Sequence, residues 1–211
     1  SIEKYSELLS VAYKVNDEPT QVVSRREYSE RQLTKILWKL FNDAEIIIGQ
    51  NGDAFDIKVS NKFFIKHKLN PPAPYKTVDT LKLARKYFRF DSNKLDYLAN
   101  FLLGENKLPT SYSLWEGCMR GDEAALLEME EYNKHDVDIL YEVYQRLKSW
   151  HVGHPNYNVL NNTTHQCPVC GSDTQKRGHM LTRVGRYQRY QCKSCGAWSK
   201  GEKLIRDKVI S

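Results

Sequence analysis

The fold is decided by the stretch Ile46-Ile47-Ile48-Gly49-Gln50-Asn51-Gly52-Asp53-Ala54-Phe55-Asp56. The three isoleucines predict a short, fully apolar strand that ends at Gly49. The residues from Asp53 to Leu69 predict a helix, which Asn70-Pro71-Pro72 closes. A strand therefore leads directly into a helix, and Asp56 falls near the carboxyl end of the strand. Folds of the α/β class place their binding groups at that end of the sheet.

The elements around this stretch alternate in the same way. Leu8 to Val15 and Thr20 to Ser24 predict two strands joined by a turn, and Ser29 with Gln32 matches a capping box at the start of a helix. The further predictions are a strand at 75–78, helices at 80–89, 94–103 and 111–119, and a long helix that begins after Asp122 and runs to about Trp150. This order indicates an α/β protein with a mixed sheet and helices packed on it.

The composition is that of a globular protein with a small basic module. The 211 residues are 40% hydrophobic and 27% charged, and we see neither a bilayer-spanning apolar run nor a signal peptide, so we expect a cytoplasmic protein. We predict a domain at 1–152, a linker at 153–164 and the small module at 165–211. This module carries ten Lys and Arg against three Asp and Glu, whereas residues 1–164 carry 22 against 23. A basic segment is typical of polyanion binding, although a solvated basic surface is an equal alternative.

The small module contains two CxxC pairs with the spacing of a structural zinc site. Cys167 and Cys170 are separated from Cys192 and Cys195 by 21 residues, and a glycine follows each pair, as in a Cys₄ zinc ribbon. Unrelated thiols or two disulfides are the alternative. Four thiolates leave no open coordination position, so we predict a structural ion that supplies most of the folding free energy of the module.

Basic and aromatic residues alternate between the two CxxC pairs. Arg183, Arg186 and Arg189 are interspersed with Tyr187 and Tyr190. Guanidinium groups can pair with phosphates and tyrosine rings can stack on bases, so this segment predicts nucleic-acid contact. Ordinary cross-strand pairs on a β-hairpin are the alternative.

The long C-terminal helix carries a carboxylate on an otherwise apolar face. Tyr132 and Asp136 are four residues apart and share this face, which continues through Met129, Leu140, Val143 and Leu147. A carboxylate in an apolar stripe is costly unless it has a partner such as a metal ion. Asp53 and Asp138 are interpreted as solvated neighbours.

These motifs resemble a known superfamily. The stretch Asn51-Gly52-Asp53-Ala54-Phe55-Asp56 resembles the second motif (N-x-x-x-F-D) of the DEDD proofreading 3′–5′ exonucleases, and Tyr132-x-x-x-Asp136 resembles their third motif in its tyrosine variant. The stretch Val78 to Arg85 is similar to the YprB-type ribonuclease-H-like group. His154-Pro155-Asn156, which leads into the zinc ribbon, is similar to phage-encoded members. The resemblance covers nearly the whole chain and implies a ribonuclease-H-like mixed sheet flanked by helices.

The resemblance also implies a mechanism and a ligand set. Four carboxylates, of which Asp56 and Asp136 would be two, hold two Mg²⁺ or Mn²⁺ ions that activate water and stabilise the leaving 3′ oxygen. Tyr132 would orient the water, and Asn51 and Phe55 would contact the terminal nucleotide, although Phe55 could equally be core. If the chain is encoded by a phage, it would act in the host cytoplasm.

The first motif of that superfamily, Asp-x-Glu on the first strand, is not found. Ser1-Ile2-Glu3 lacks the aspartate, and Asp43-Ala44-Glu45 has the right residues at the end of a helix. The expectation is that the chain begins after the motif and that the central strand of the sheet is missing. We therefore expect the 211-residue chain to be inactive and prone to aggregate through unpaired strand edges.

Three functions are compatible with these patterns. The favoured one is a 3′–5′ exonuclease, with DNA favoured over RNA, whose ribbon holds nucleic acid. The second is a non-catalytic nucleic-acid-binding protein on a degenerate nuclease scaffold. The third is a protein that docks a DNA polymerase or another replication partner. Salt sensitivity would separate the third from the others, because phosphate contacts weaken steeply as salt rises.

Overall fold

The computed structural model describes residues 7–160, 163, 166–183 and 185–205. The chain divides into two compact units, Ser1–Tyr144 and Gln145–Ser211. Ser1-Ile2-Glu3, compared above with the Asp-x-Glu motif, lies outside the described residues. Among the described helices, none has the length and apolar composition needed to cross a membrane.

The first unit is a mixed α/β domain, as predicted. Its elements are β1 (Ser10–Tyr13), β2 (Gln21–Ser24), α1 (Glu30–Asp43), β3 (Ile46–Gly49), α2 (Asp56–Lys66), β4 (Lys76–Asp79), α3 (Thr80–Tyr87), α4 (Leu95–Leu103), α5 (Tyr112–Arg120) and most of α6 (Glu123–Leu147). The second unit holds a 3₁₀ turn (Lys148–Trp150), α7 (Tyr157–Leu160), β5 (Thr174–Thr182), β6 (Gly185–Cys192) and β7 (Trp198–Ile205).

The strands of the first unit form two separate pairs. β1 and β2 are an antiparallel hairpin in which Val11 faces Val23, and β3 and β4 are parallel, with Ile48 beside Val78. In the part of the chain that the structure describes, no strand joins the two pairs. Within the described residues, each pair is therefore a two-stranded sheet of its own.

Helix α1 begins where the sequence predicts. Ser29 accepts a hydrogen bond from the backbone N–H of Gln32, and the Gln32 side chain accepts one from the backbone N–H of Ser29, so both halves of the capping box are present. The helix buries Leu33 and Phe41. Phe41 meets Phe64 edge to face at 5.5 Å, which packs α1 against α2 and positions the chain that leads into β3.

Helix α6 is attached to the β1–β2 hairpin by side-chain hydrogen bonds. Ser24 donates to Glu130, and Thr20 donates to Asp138. Asn133 donates to the Ser10 hydroxyl. Asp138 is exposed, in agreement with its interpretation as a solvated neighbour, and its carboxylate accepts this bond at the helix surface.

Helix α2 starts later than predicted, at Asp56 rather than Asp53. Asn51 adopts a left-handed conformation (φ 60°), and the backbone N–H groups of Ala54 and Phe55 both donate to its carbonyl oxygen. Residues 51–55 therefore form a turn. A Cβ on Gly49 would lie 3.2 Å from the Cα of Gly52, so the two glycines permit a close approach that side chains would block.

The predicted linker contains a helical turn. Residues Tyr157–Leu160 form α7, and the backbone N–H of Tyr157 donates to the carbonyl of Pro168 at 2.7 Å. The Tyr157 ring covers Gly171, where a Cβ would lie 2.4 Å from a ring carbon. This part of 153–164 is therefore packed on the first CxxC turn, through a contact between residues distant in sequence that local patterns do not report.

Candidate functional site

The carboxyl ends of β3 and β4 lie side by side and carry the candidate carboxylate site. Gly49 is in register with Asp79, so the turn after β3 lies beside the start of α3. The Thr80 hydroxyl is 3.0 Å from the Gly49 carbonyl oxygen and 2.6 Å from Oε1 of Gln50. Gln50 in turn donates to the carbonyl of Asn93 at 2.8 Å. These bonds hold the turn in one conformation.

Asp79 belongs to this site, although the sequence patterns gave it no role. Its side chain caps α3, and Oδ1 accepts backbone hydrogen bonds from Asn51 at 3.0 Å, Leu81 at 3.0 Å and Lys82 at 3.4 Å. The residue is only 7% exposed, and Oδ2 is buried with no hydrogen-bond partner among the described residues. The available signal was an aspartate between a strand and a helix, which is an N-cap pattern.

Asp56 is the first residue of α2 and lies close to Asp79. Its Oδ2 lies 3.8 Å from where a Cβ on Gly52 would stand. Partial desolvation raises the pKa of the Asp56 carboxyl, and the negative charge of Asp79 raises it further. A carboxyl group whose ionisation is disfavoured by burial and by a neighbouring carboxylate is typical of a cation-binding or acid–base site.

Asp53 takes no part in this carboxylate pair. Its Oδ2 accepts a hydrogen bond from Nζ of Lys82 at 2.6 Å, and this interaction lowers the pKa of the Asp53 carboxyl. Asp53 is therefore an ion-paired neighbour and not an unpaired acid. Phe55 is 62% exposed, so the interpretation of Phe55 as core is wrong. Its role in contacting a nucleotide stays a prediction.

Tyr132 and Asp136 lie together on α6, as the four-residue spacing predicts. Tyr132 packs against a core cluster that includes Leu114 and Met129. Asp136 is ion-paired: its Oδ2 is 2.6 Å from Nζ of Lys107, and the same ammonium lies 5.1 Å from the centre of the Tyr132 ring. Oδ1 of Asp136 is buried and has no partner within the described residues. The cation that pairs with the Asp136 carboxylate is thus the ammonium group of Lys107.

The segment between α4 and α5 carries Lys107 to this position. The backbone N–H of Lys107 donates to Oδ1 of Asp96 at 3.1 Å, and the Asn106 carbonyl is 3.0 Å from Nε2 of His135. Burial alone would lower the pKa of Lys107, but its hydrogen bonds with Asp136 and Tyr132 raise it. The lysine is therefore a charged, anchored part of the site. Nothing in the sequence pattern marks it, because it lies in a loop.

Replacing Lys107 with Met is expected to lower the free energy of unfolding by about 1–3 kcal/mol, because it leaves the Asp136 charge partly buried and unpaired. The side chains are 24% and 23% exposed, so solvent screens the lost pair only weakly. Urea denaturation followed by circular dichroism measures the change. The double variant Lys107→Met/Asp136→Asn is expected to recover most of the loss, and a purely additive double-mutant cycle would contradict the pairing.

The described carboxylates do not complete a two-ion site. Asp56 lies near Asp79, and Asp136 lies against Lys107. The only group of three or more possible metal ligands within mutual reach in the described residues is the cysteine cluster. The chemistry of the donors suits a divalent cation, since carboxylate oxygens are hard ligands and two of them are buried without partners. The number of described carboxylates within reach of one ion is too small for such a site, so the site needs a further ligand.

The four cysteines are placed to bind a zinc ion. Their sulfur atoms all lie within 4.8 Å of one another, with 3.7 Å between Cys167 and Cys195 and 3.6 Å between Cys170 and Cys192. Tetrahedral zinc with bonds of about 2.3 Å to sulfur requires sulfur atoms about 3.8 Å apart. The arrangement is therefore that of a closed Cys₄ site.

Hydrogen bonds reach two of these sulfur atoms, those of Cys192 and Cys170. The N–H groups of Ser194 and Cys195 point at the sulfur of Cys192, at 3.3 and 3.4 Å. Burial would raise the pKa of Cys170, but hydrogen bonds from Ser172 lower it to about 6. A thiol that ionises near neutral pH binds metal without strong competition from protons.

The three predicted arginines do not share one surface. Arg186 lies 3.0 Å from a ring nitrogen of His179, and Arg183 is in the turn between β5 and β6. Arg189 stacks on Trp198, with 4.6 Å from the guanidinium carbon to the ring centre. Arg186 and Arg189 are three residues apart in β6, and strand alternation puts them on opposite faces.

The comparison with protein families agrees with this geometry. The sequence matches the family model described as RNase_H superfamily over residues 4–148. The chain belongs to the RNase H superfamily. Curated proteins yielded no match. Nucleases of the superfamily use divalent metal ions, and membership supports a nuclease-related function on nucleic acid. The match includes the candidate residues from Asn51 to Asp136 and ends before the cysteine cluster.

Proposed function

We propose that the protein is a metal-dependent 3′–5′ exonuclease that hydrolyses phosphodiester bonds in DNA and holds the nucleic acid with its zinc ribbon. The observation that carries the proposal is the carboxylate arrangement within an RNase H superfamily domain. Asp79 ends β4, and Asp56 begins α2 after the turn that follows the parallel strand β3. Asp136, four residues after Tyr132 on α6, has a buried oxygen with no partner among the described residues. The proposal keeps 1–152 as the nuclease domain, 153–164 as its linker and 165–211 as the ribbon.

Each residue has a distinct part in the proposed reaction. Asp56 and Asp136 each offer a carboxylate to a divalent ion, Mg²⁺ or Mn²⁺, which when bound supplies an activated water. Tyr132 orients that water through its hydroxyl group. Asn51 and Phe55, both exposed at the end of β3, contact the terminal nucleotide. Asp79 positions the backbone of Asn51 through its 3.0 Å hydrogen bond.

We further propose that the 211-residue chain alone is catalytically incomplete. The described residues bring no three carboxylates within reach of one ion. A strand carrying Asp-x-Glu would supply two more, and it could pair with edges of β1–β2 and β3–β4 that no described strand occupies.

The test compares the 211-residue protein with the same protein extended at its N-terminus by an engineered strand that carries Asp-x-Glu. Both are incubated with 3′-labelled or 5′-labelled single-stranded DNA and Mg²⁺ or Mn²⁺. We expect the unextended protein to leave both substrates intact. The extended protein is expected to shorten the DNA stepwise from the 3′ end, and the Asp136→Asn variant of the extended protein is expected to lose this activity.

Two results would contradict the proposal. Metal-dependent cleavage by the unextended protein that disappears in Asp56→Ala would show that the site is already complete. No cleavage by an extended protein that is folded and zinc-loaded would remove the exonuclease assignment.

A non-catalytic nucleic-acid-binding protein is the second candidate. The contact that favours it is the ion pair of Lys107 with Asp136, because an internal ammonium satisfies the carboxylate that a catalytic ion would need. On this alternative, DNA binding survives in Asp136→Asn and no cleavage occurs under any condition.

A further inference from the structure

One face of the ribbon sheet carries two interleaved cation–aromatic pairs. Arg189 stacks on Trp198 at 4.6 Å, and Nζ of Lys200 lies 4.5 Å from the centre of the Tyr187 ring. These four residues are called the stacking face. The pairing register places Arg189 opposite Lys200, and Gln191 opposite Trp198. Directly opposed residues project to the same side of a sheet, so the four side chains share one face.

The aromatic groups of the stacking face are not buried by the fold. Trp198 is 51% exposed, and the neighbouring Met180 and Leu204 are 46% and 40% exposed. Met180 is opposite Tyr187 on β5, and Leu204 is opposite Tyr187 on β7, which extends the same surface. The buried cluster of the ribbon consists of the cysteines with Val169 and Ala197, and it includes none of these residues. The exposed Trp198 ring and the half-buried Tyr187 ring therefore have no role in that core.

Arg189 is held in a fixed orientation. Its Nε donates to the carbonyl of Arg177 at 2.8 Å, and its guanidinium carbon lies over the Trp198 ring, 4.6 Å from the centre. A guanidinium fixed in this way can offer its terminal N–H groups to a phosphate at a small cost in side-chain entropy. Described residues 166–183 and 185–205 carry eight Lys and Arg against two Asp and Glu, so the surroundings attract a polyanion.

We infer that the stacking face binds a single strand of nucleic acid, with bases stacked on Trp198 and Tyr187 and phosphates paired with Arg189 and Lys200. An acidic protein partner would pair with Arg189 and Lys200 but would not require aromatic rings alternating with these cations. A duplex would meet the charges, but its paired bases are stacked on each other and cannot reach the rings. This binding mode rests on the proposed function, in which the ribbon holds the nucleic acid. It adds that the nucleic acid held by the ribbon is single-stranded.

The experiment measures binding of fluorescein-labelled oligothymidylate and of a labelled duplex of equal length to the zinc-loaded, 211-residue protein, without added Mg²⁺ or Mn²⁺. We expect Trp198→Ala to weaken single-strand binding roughly five- to hundredfold, the loss typical of one stacked base. Duplex binding is expected to change less than twofold. Zinc content and far-ultraviolet circular dichroism confirm that each variant is folded.

Salt dependence separates the roles of the rings and the cations. Lys200→Ala is expected to reduce the slope of log affinity against log salt by about 0.7, the value for one phosphate contact on a single strand. Trp198→Ala is expected to leave the slope unchanged. Lys176→Ala is the matched control, because Lys176 is exposed and lies opposite Tyr190, on the other face of the same sheet. It is expected to change neither the slope nor the affinity.

Unchanged single-strand affinity in a folded Trp198→Ala protein would overturn the inference, as would an equal loss of duplex and single-strand binding. A Lys176→Ala effect as large as that of Lys200→Ala would overturn the assignment to this face. The catalytic proposal fails differently: binding with these properties but no cleavage by the extended protein would remove the exonuclease and leave the stacking face intact.

Discussion

Removing zinc is expected to unfold the ribbon while the RNase H superfamily domain stays folded. The buried cluster of the ribbon consists of Cys167 and Cys192 with Val169 and Ala197, and Cys170 and Cys195 pack against it. Only two small apolar side chains in this cluster are not metal ligands. Without the ion, too little apolar surface is buried to offset the conformational entropy of about 40 residues. Metal binding supplies about 10 kcal/mol in sites of this kind.

The measurement is a titration with a strong chelator, followed by the dispersion of the ribbon amide resonances. Cys192→Ser is expected to reproduce the chelated state. Cys118→Ser is the matched control, because Cys118 is also buried, at 3% exposure, but lies in a core cluster of the other unit. It is expected to retain one zinc ion per chain. A ribbon that keeps its amide dispersion after complete chelation would show that its fold does not depend on metal.

Replacing Asp79 with Ala is expected to lower the free energy of unfolding of the superfamily domain by about 2–4 kcal/mol. The estimate combines the loss of a helix cap with the cost of leaving the Asn51 N–H group without its acceptor. Urea denaturation followed by circular dichroism measures the loss, since the helices α1 to α6 belong largely to this unit. Amide exchange of Asn51, Leu81 and Lys82 is expected to accelerate locally, because all three donate to Asp79.

Asp79→Asn is the matched control for this variant. Asparagine keeps an oxygen at the Oδ1 position and is a good N-cap, so the expected loss is below about 1 kcal/mol. The substitution also removes the negative charge that raises the pKa of Asp56. The Asp56 carboxyl is therefore expected to ionise at lower pH in Asp79→Asn, while desolvation keeps its pKa above the ordinary value. Equal destabilisation by Asn and Ala would show that the hydrogen bonds to Oδ1 are not the source of the effect.

The prediction of the main elements succeeded where local patterns are strong. The capping box placed the start of α1 correctly, and the three isoleucines predicted β3. The predicted start of α2 was three residues too early, because the turn at Asn51 depends on the close approach of the Gly49 and Gly52 backbones. The helical turn at Tyr157–Leu160 was missed because it packs on a residue outside its own segment.

Local patterns in the sequence were enough to predict most elements of the first unit, the set of four cysteines and the helix face shared by Tyr132 and Asp136. Each of these follows from spacing along a regular element or within a short turn, which fixes relative position through local geometry alone. Three contacts are visible only in the tertiary structure. They are the electrostatic interaction of Asp79 with Asp56, the ion pair of Lys107 with Asp136 and the contact of Arg189 with Trp198. Those contacts depend on strand pairing and on the course of a loop, both of which bring together residues that no local period relates.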